Sequence, residues 1–350
     1  MSSREIGKSG LMVNPIGVGC WAYGGGAYWG EQSQADVNDV VDNAIDLGLN
    51  FFDTAEMYNN GASETALGLA LKGKREKAVV ATKIGPAFCK RDMMIKHLDD
   101  SLKRLKMDYV DCYMLHWPLN PISLKHFTDD PKLLADPPTE EEVFQTFNEF
   151  KKQGKIRSIG VSNFGKKQLE AAVKTGVQID LNEITYNILS RAVEAEILPY
   201  CIEHNISLIG SMALQQGLLA GIYKTVDSVP GPQAHSTHFH YDRGGSFSRH
   251  TQLGAETELF DAIAKVEAIA NELNVHVAQL SIAWVLAKKG VAAALVGSRN
   301  LAELKNNVFA GTMFLDEKTI QALDDAGQPL LDILGYNADY YEDPENSRIF

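Results

Sequence analysis

A closed (β/α)8 barrel of the TIM type is the fold this sequence predicts, on three observations. Eight short runs rich in β-branched residues alternate with longer amphipathic stretches, the rhythm of parallel strands joined by crossover helices. The alternation runs nearly the whole length of the 350 residues without a low-complexity linker, so residues 1–350 read as one barrel domain with insertions. At 45% hydrophobic and 22% charged residues, the composition is that of a globular chain with ample core material.

Each element follows from its local pattern. Residues 4–15 are apolar at Ile6 and Leu11 around Gly7-Lys8-Ser9-Gly10, which predicts a hairpin plugging the barrel floor. The strands expected are Ile16–Gly19, Asn50–Asp53, Ala78–Lys83, Tyr109–His116, Ile156–Ser162, Ile179–Glu183, Ser207–Gly210 and Ala293–Val296. Between them lie helical patterns. Ser33–Leu47 puts Val37, Val40, Val41, Ala44 and Ile45 on one stripe, and Ser63–Leu71, Asp92–Leu105, Thr139–Gln153 and Lys166–Thr175 follow. Thr139 with Glu142 makes a capping-box start, and Gly154 stands where that helix should stop. Three segments break the rhythm: 119–138 after strand four, 221–253 after strand seven, and the tail 326–350. Loops that follow strands lie at the catalytic face of such a barrel, so these are the expected walls of a pocket.

The charge narrows the partners. With 33 Lys and Arg against 45 Asp and Glu, the net charge is −12, and nucleic acid or an anionic membrane would repel the chain. A small-molecule substrate is expected instead. The cysteines at 20, 89, 112 and 201 have no metal-type spacing and read as isolated thiols in a reducing compartment. No apolar leader opens the sequence, and no apolar run reaches the roughly 18 residues of a membrane helix, so a cytoplasmic protein is expected. Monomer and homo-oligomer both remain open.

Polar residues at strand ends carry the chemistry. Strand two ends in Asp53 with Tyr58 five residues on, strand three in Lys83 and strand four in His116. The gaps of 30 and 33 residues each match one βα unit, which brings the four to neighbouring places on one rim. A tyrosine is a poor acid at neutral pH unless a cation stabilises its phenolate, and Lys83 would be that cation. Asp53 would hold the ammonium in place, and His116 would bond a carbonyl oxygen. This is the proton half of a carbonyl reduction; the other half needs a hydride source.

The segments GLNFFDTAEMYNNGASETALGLAL, AVVATKIG, DYVDCYMLHWP, GKIRSIGVSNF, YNILSRAVEAEILPYC, QQGLLAGIY and LVGSRNLAELKNNV resemble, in order and spacing, those of the aldo-keto reductases, over residues 4 to about 325. The resemblance implies the barrel, an extended nicotinamide cofactor across its mouth, and Tyr58 as general acid in reduction or base in oxidation. It assigns Gly19 and Trp21, with Asp53, to the side of the nicotinamide and Ser162 and Asn163 to its carboxamide. Gly217 and Leu218 fall to the pyrophosphate, and Gly297, Ser298, Arg299, Glu303 and Asn307 to the adenosine end. Two positions depart from the family pattern: Glu183 stands where members usually carry glutamine, and Ser211 where an aromatic stacks on the nicotinamide. NADP(H) is expected on family habit, with NAD(H) close behind, because a carboxylate at Glu303 would repel a 2′-phosphate while Arg299 would attract it.

Taken singly, Asp53 reads as a helix cap, Lys83 as a solvated charge and His116 as a core histidine; their joint placement reverses that. His235, His238, His240 and His250 lie in a Gly, Ser and Pro-rich stretch and read as a polar loop, so no metal is expected. Trp21, Trp29 and Trp117 near strand ends are the expected substrate contacts. The expected activity is an NAD(P)(H)-dependent oxidoreductase acting on a sugar-like or cyclitol-like carbonyl. The alternative is a nicotinamide-binding regulatory subunit with little turnover.

Overall fold

The barrel closes from its floor upward. In the computed structural model, which describes residues 2–26 and 28–350, β1 (Arg4–Glu5) and β2 (Met12–Val13) pair antiparallel as the predicted hairpin. Gly7 turns it at φ +54, and a Cβ there would lie 2.4 Å from the Asp180 carbonyl oxygen, so only glycine fits. The hairpin sends Ile6, Leu11 and Val13 into the barrel interior against Phe51, Val79, Ala81, Cys112 and Leu181. Full burial of Ile6 or Leu11 contributes about 1.5–3 kcal/mol each. Arg4 fastens the plug by donating to the carbonyls of Val291 (2.8 Å) and Leu286 (2.9 Å).

Eight parallel strands follow: β3 (Ile16–Gly19), β4 (Phe51–Asp53), β5 (Val79–Ile84), β6 (Val110–Leu115), β7 (Ile156–Ser162), β8 (Leu181–Thr185), β9 (Ser207–Ser211) and β10 (Val291–Gly297). They pair in sequence order, and β10 returns to β3 to close the barrel. All eight predicted strands are present. No boundary shifts by more than two residues: the sixth strand starts at Leu181 rather than Ile179 and runs on to Thr185, and the eighth starts at Val291 rather than Ala293.

Side chains alternate along each strand, so every second residue enters the barrel. Val79, Ala81 and Lys83 form one inward column, Cys112 and Met114 another, continued by His116, and Leu181 and Glu183 a third. The lower members are apolar filling and the top members are polar. Tight packing of that filling requires Gly160, where a Cβ would come within 2.7 Å of Leu181 and 2.8 Å of Met114. The intervening residues, such as Phe52, Val80 and Tyr113, face the helical layer with Val40, Val41, Leu98 and Phe147.

Two expectations need correction. The segment 119–138 is no irregular loop: it carries helices Pro121–Phe127 and Pro131–Ala135. Each is started by a capping side chain, Asn120 or Asp130, followed by proline at the first helical position. The tail does not begin at 326, because helix Glu317–Leu334 runs through Pro329 and the irregular chain starts at Gly335. By contrast, 221–253 holds only short 3-10 turns. Among the described residues no helix is long and apolar enough to cross a membrane.

Candidate active site

The upper ends of the inward columns converge. Lys83, fully buried, places Nζ 2.6 Å from both Asp53 carboxylate oxygens, 3.0 Å from the Thr54 carbonyl and 3.2 Å from the Tyr58 hydroxyl. His116 sets its ring at 76° to Tyr58 with centroids 5.6 Å apart. The four residues picked from strand ends are thus one cluster. Glu183 joins them from β8, with Oε1 3.4 Å from Lys83 Nζ, a contact that sequence reasoning did not foresee.

Tyr58 reaches this place because the chain turns sharply after it. Asn59 and Asn60 take φ of 50 and 53 and Gly61 takes 83, and Asn-Asn-Gly is a residue choice that tolerates left-handed backbone. Asn59 then donates to the carbonyls of Trp21 (3.0 Å) and Tyr23 (2.9 Å), tying the tyrosine turn to the loop after β3.

The electrostatics differ from expectation in one respect. Burial alone would lower Lys83, but Asp53, Glu183 and Tyr58 outweigh it and hold the ammonium charged. Burial pushes Tyr58 up, and Lys83 does not bring it back, because Asp53 and Glu183 offset the lysine charge. Tyr58 is therefore a firmly protonated phenol rather than one primed toward phenolate. His116 is held well below its usual value by burial and by Lys83, so its imidazole is neutral at pH 7. Its Nδ1 is buried without a partner among the described residues.

Above the cluster stands an aromatic wall. Trp21 stacks on Tyr28 (centroids 5.3 Å, 17°), meets Trp29 edge-on at 5.2 Å and lies 5.9 Å from Tyr58. Tyr28, which sequence reasoning missed, donates its hydroxyl to Gln216 and lies 2.8 Å from the Pro232 carbonyl, joining the first loop to 221–253. Trp29 Nε1 is buried without a partner among the described residues. Trp117 is not a bare wall: the Arg348 guanidinium lies 3.8 Å over its ring.

Arg348 belongs to the tail, which crosses the mouth. Asp339 accepts from its Nε (2.8 Å) and Nη2 (2.7 Å), with both side chains buried. Tyr340 and Tyr341 stack on His238 and His235, and Arg249 pairs with Glu342 at 2.6 Å. Two of the loop histidines therefore brace the tail. Among the described residues no three His, Cys, Asp or Glu side chains gather as a metal site. Asp339→Ala leaves the guanidinium buried without its carboxylate, an expected loss of about 3 kcal/mol. Urea unfolding and limited proteolysis check it: the midpoint should fall and the tail should be cut early.

The cofactor candidates line one arc of the rim. The register sets Gly19 beside Asp53 and Gly297, and Ser162 beside Glu183. Asn163, at φ 59, donates to the His116 carbonyl (3.1 Å) and lies 3.1 Å from Ser162 Oγ. Ser211 closes β9 with a short side chain and no ring. Gln215, Gln216 and Gly217 run at φ 43, 53 and 99, a strained turn that Asn187 and Tyr28 hold through the glutamine side chains. Leu218 buries its side chain in the core, which leaves its backbone as the group available to a pyrophosphate. At the far end, Asn307 donates to Ser298 Oγ (3.1 Å) and the Gly297 carbonyl (3.3 Å). The helix Leu301–Ala310 starts there, and Glu303 accepts the Arg299 backbone N–H at 2.8 Å. The Arg299 side chain is turned away, bonded to the Gln32 side chain (3.0 Å) and the Glu31 carbonyl (2.6 Å).

The model of the aldo/keto reductase family matches residues 15–328. The NADH-specific methylglyoxal reductase of Escherichia coli (strain K12) is 29% identical over 330 residues, covering 89% of this chain and 93% of that protein. A probable voltage-gated potassium channel subunit beta of Arabidopsis thaliana is 30% identical over 332 residues, covering 89% of this chain and 91% of that one. Among solved structures, the glycerol dehydrogenase AKR11B4 from Gluconobacter oxydans shares 25% identity with a TM-score of 0.74, over 98% of both chains. The thermostable aldo-keto reductase Tm1743 shares 27% with a TM-score of 0.72, over 93% of this chain and 100% of that one.

Proposed function

This chain belongs to the aldo/keto reductase family, and from that premise we propose that it interconverts a carbonyl and an alcohol with a nicotinamide dinucleotide, Tyr58 moving the proton. The observation that carries the reading is the Tyr58 hydroxyl 3.2 Å from a buried, carboxylate-held Lys83 and beside a neutral His116. A bound dihydronicotinamide supplies the hydride. The site fits such a group, since His116 Nδ1 and Glu183 Oε2 are buried polar atoms that receive no hydrogen bond from the described residues. His116 positions the carbonyl oxygen with its single N–H. Tyr58 gives that oxygen its proton as the alkoxide develops, and Lys83 holds the phenolate left behind. In oxidation the same groups run in reverse.

A sugar-like or cyclitol-like substrate is favoured. The mouth segments are rich in Asn, His, Asp and Ser, and the rings of Trp21, Tyr28 and Trp29 offer apolar faces to the C–H side of a polar ring. Trp29 Nε1 is a donor awaiting a substrate oxygen. Absorbance of NADPH and NADH followed against aldehydes, ketoses and inososes, with the matching alcohols in reverse, tests the reading. Tight cofactor binding with no turnover on any of them would favour a regulatory subunit, the alternative raised by the channel-subunit relative.

The adenosine end favours a free ribose hydroxyl more than family habit does. Glu303 is exposed at the helix start and Arg299 is committed to the 31–32 loop. Glu303→Gln keeps the acceptor but removes the charge. It should improve NADPH affinity relative to NADH by about fivefold, the effect of one exposed charge of roughly 1 kcal/mol. Fluorescence titration of both cofactors measures the ratio.

A further inference from the structure

We infer that Glu183 is a proton-carrying member of the catalytic cluster that sets the balance between the two redox forms of the cofactor: uncharged it is neutral toward them, and ionised it favours the oxidised form. The inference rests on the nicotinamide reading above and deepens it.

The geometry places two carboxyls on one cation. Lys83 Nζ is 2.6 Å from both oxygens of Asp53 and 3.4 Å from Glu183 Oε1, while Glu183 Oε2 is buried and receives no hydrogen bond from the described residues; the Glu183 carboxyl is within hydrogen-bonding reach of Asp53 once one of the two holds a proton. Asp53 and Glu183 are 3% and 5% exposed, too deep for water to screen a second negative charge. The other titratable groups around them give no relief. Tyr58 follows β4 and His116 follows β6, both uncharged at neutral pH. Cys20 after β3 and Cys112 in β6 are buried thiols held protonated. Among the described residues, Lys83 is the one cation paired with Glu183.

A buried site with one cation and two carboxyls keeps a proton, and Glu183 is where it sits, because Asp53 holds both short contacts to the ammonium. Burial first, then the Asp53 charge, raises Glu183 to about 8 against the pull of Lys83. Below that pH the sum of Asp53, Glu183 and Lys83 is zero; above it the cluster carries one net negative charge. Hydride and proton add to adjacent atoms of a carbonyl, so the nicotinamide must bind close to Tyr58 and hence to this cluster. The oxidised ring carries a positive charge that the reduced ring lacks, so only its affinity gains from ionised Glu183. By linkage, the bound oxidised form lowers the pKa of Glu183 to the same extent. As pH rises through that value, preference therefore moves toward the oxidised cofactor.

Fluorescence titration of the full chain with reduced and oxidised cofactor between pH 6.5 and 9.5 reads this directly. The ratio of the two Kd values cancels titration of the cofactor phosphates, which both forms share. In the unaltered protein the ratio should move about tenfold toward the oxidised form, within the usual span of coupled sites. In Glu183→Gln it should stay flat, and in Tyr58→Phe, which removes the phenol but keeps Glu183, the slope should persist. A flat ratio in the unaltered protein, an unchanged slope in Glu183→Gln, or a slope lost in Tyr58→Phe would each overturn the inference. Absence of binding by either redox form in the unaltered protein would instead overturn the nicotinamide reading itself, and the inference with it.

Discussion

Tyr58→Phe is expected to lower kcat by about 10²- to 10⁴-fold, the usual contribution of a positioned general acid, while leaving cofactor affinity in place. The substitution deletes one oxygen and keeps the ring that packs beside Trp21 and His116. Lys83 retains both Asp53 contacts and the Thr54 carbonyl, so the cluster keeps its charge and its shape. Only the transferable proton is gone. Steady-state rates on the best carbonyl substrate, with cofactor titration alongside, separate chemistry from binding. A variant that kept most of its turnover would remove Tyr58 from the role of proton donor, and His116 would be the next group to test.

Lys83→Met is expected to damage stability as well as activity. It leaves Asp53 and Glu183 facing each other, nearly buried, with no cation between them. Breaking a buried ion pair from one side costs about 3–5 kcal/mol. The sign of the pH dependence follows from what the orphaned carboxyls must do. Without Lys83 both are raised in the folded state relative to the unfolded chain, where they titrate near the ordinary carboxylate range. The folded variant then binds more protons than the unfolded one, and its stability falls as pH rises above that range. Urea midpoints at pH 5 and pH 8 should show a larger deficit against the unaltered protein at pH 8. An equal deficit at both would mean that the loss is one of packing alone.

The candidate cluster of Asp53, Tyr58, Lys83 and His116 was legible because the mouth of a barrel collects the residues that end its strands. Asp53, Lys83 and His116 end successive strands, and their spacings of 30 and 33 residues bring them level. Glu183 was marked from a family departure; its bond to Lys83 depends on barrel curvature, which no local pattern encodes. Other features left weaker traces. Helix Val277–Ala287 is buried on nearly all sides and shows no stripe. The helices in 119–138 were announced by Asn120-Pro121 and Asp130-Pro131, turn-like pairs that also start helices. The tail was illegible, because Arg348 finds Trp117 and Asp339 through single long-range contacts without periodicity. Tyr28 was hidden in a glycine-rich stretch whose role appears only once Gln216 and Pro232 come beside it.

The floor plug has a consequence for how the molecule is made. Arg4 is synthesised more than two hundred and eighty residues ahead of its acceptors, Leu286 and Val291. The strand that closes the ring, β10, is likewise the last to be synthesised and must find β3, the first of the barrel. Joining such distant partners is a slow step. Nascent chains therefore carry Ile6 and Leu11 without their final cover until β10 has emerged, and the barrel can close around Lys83 only then.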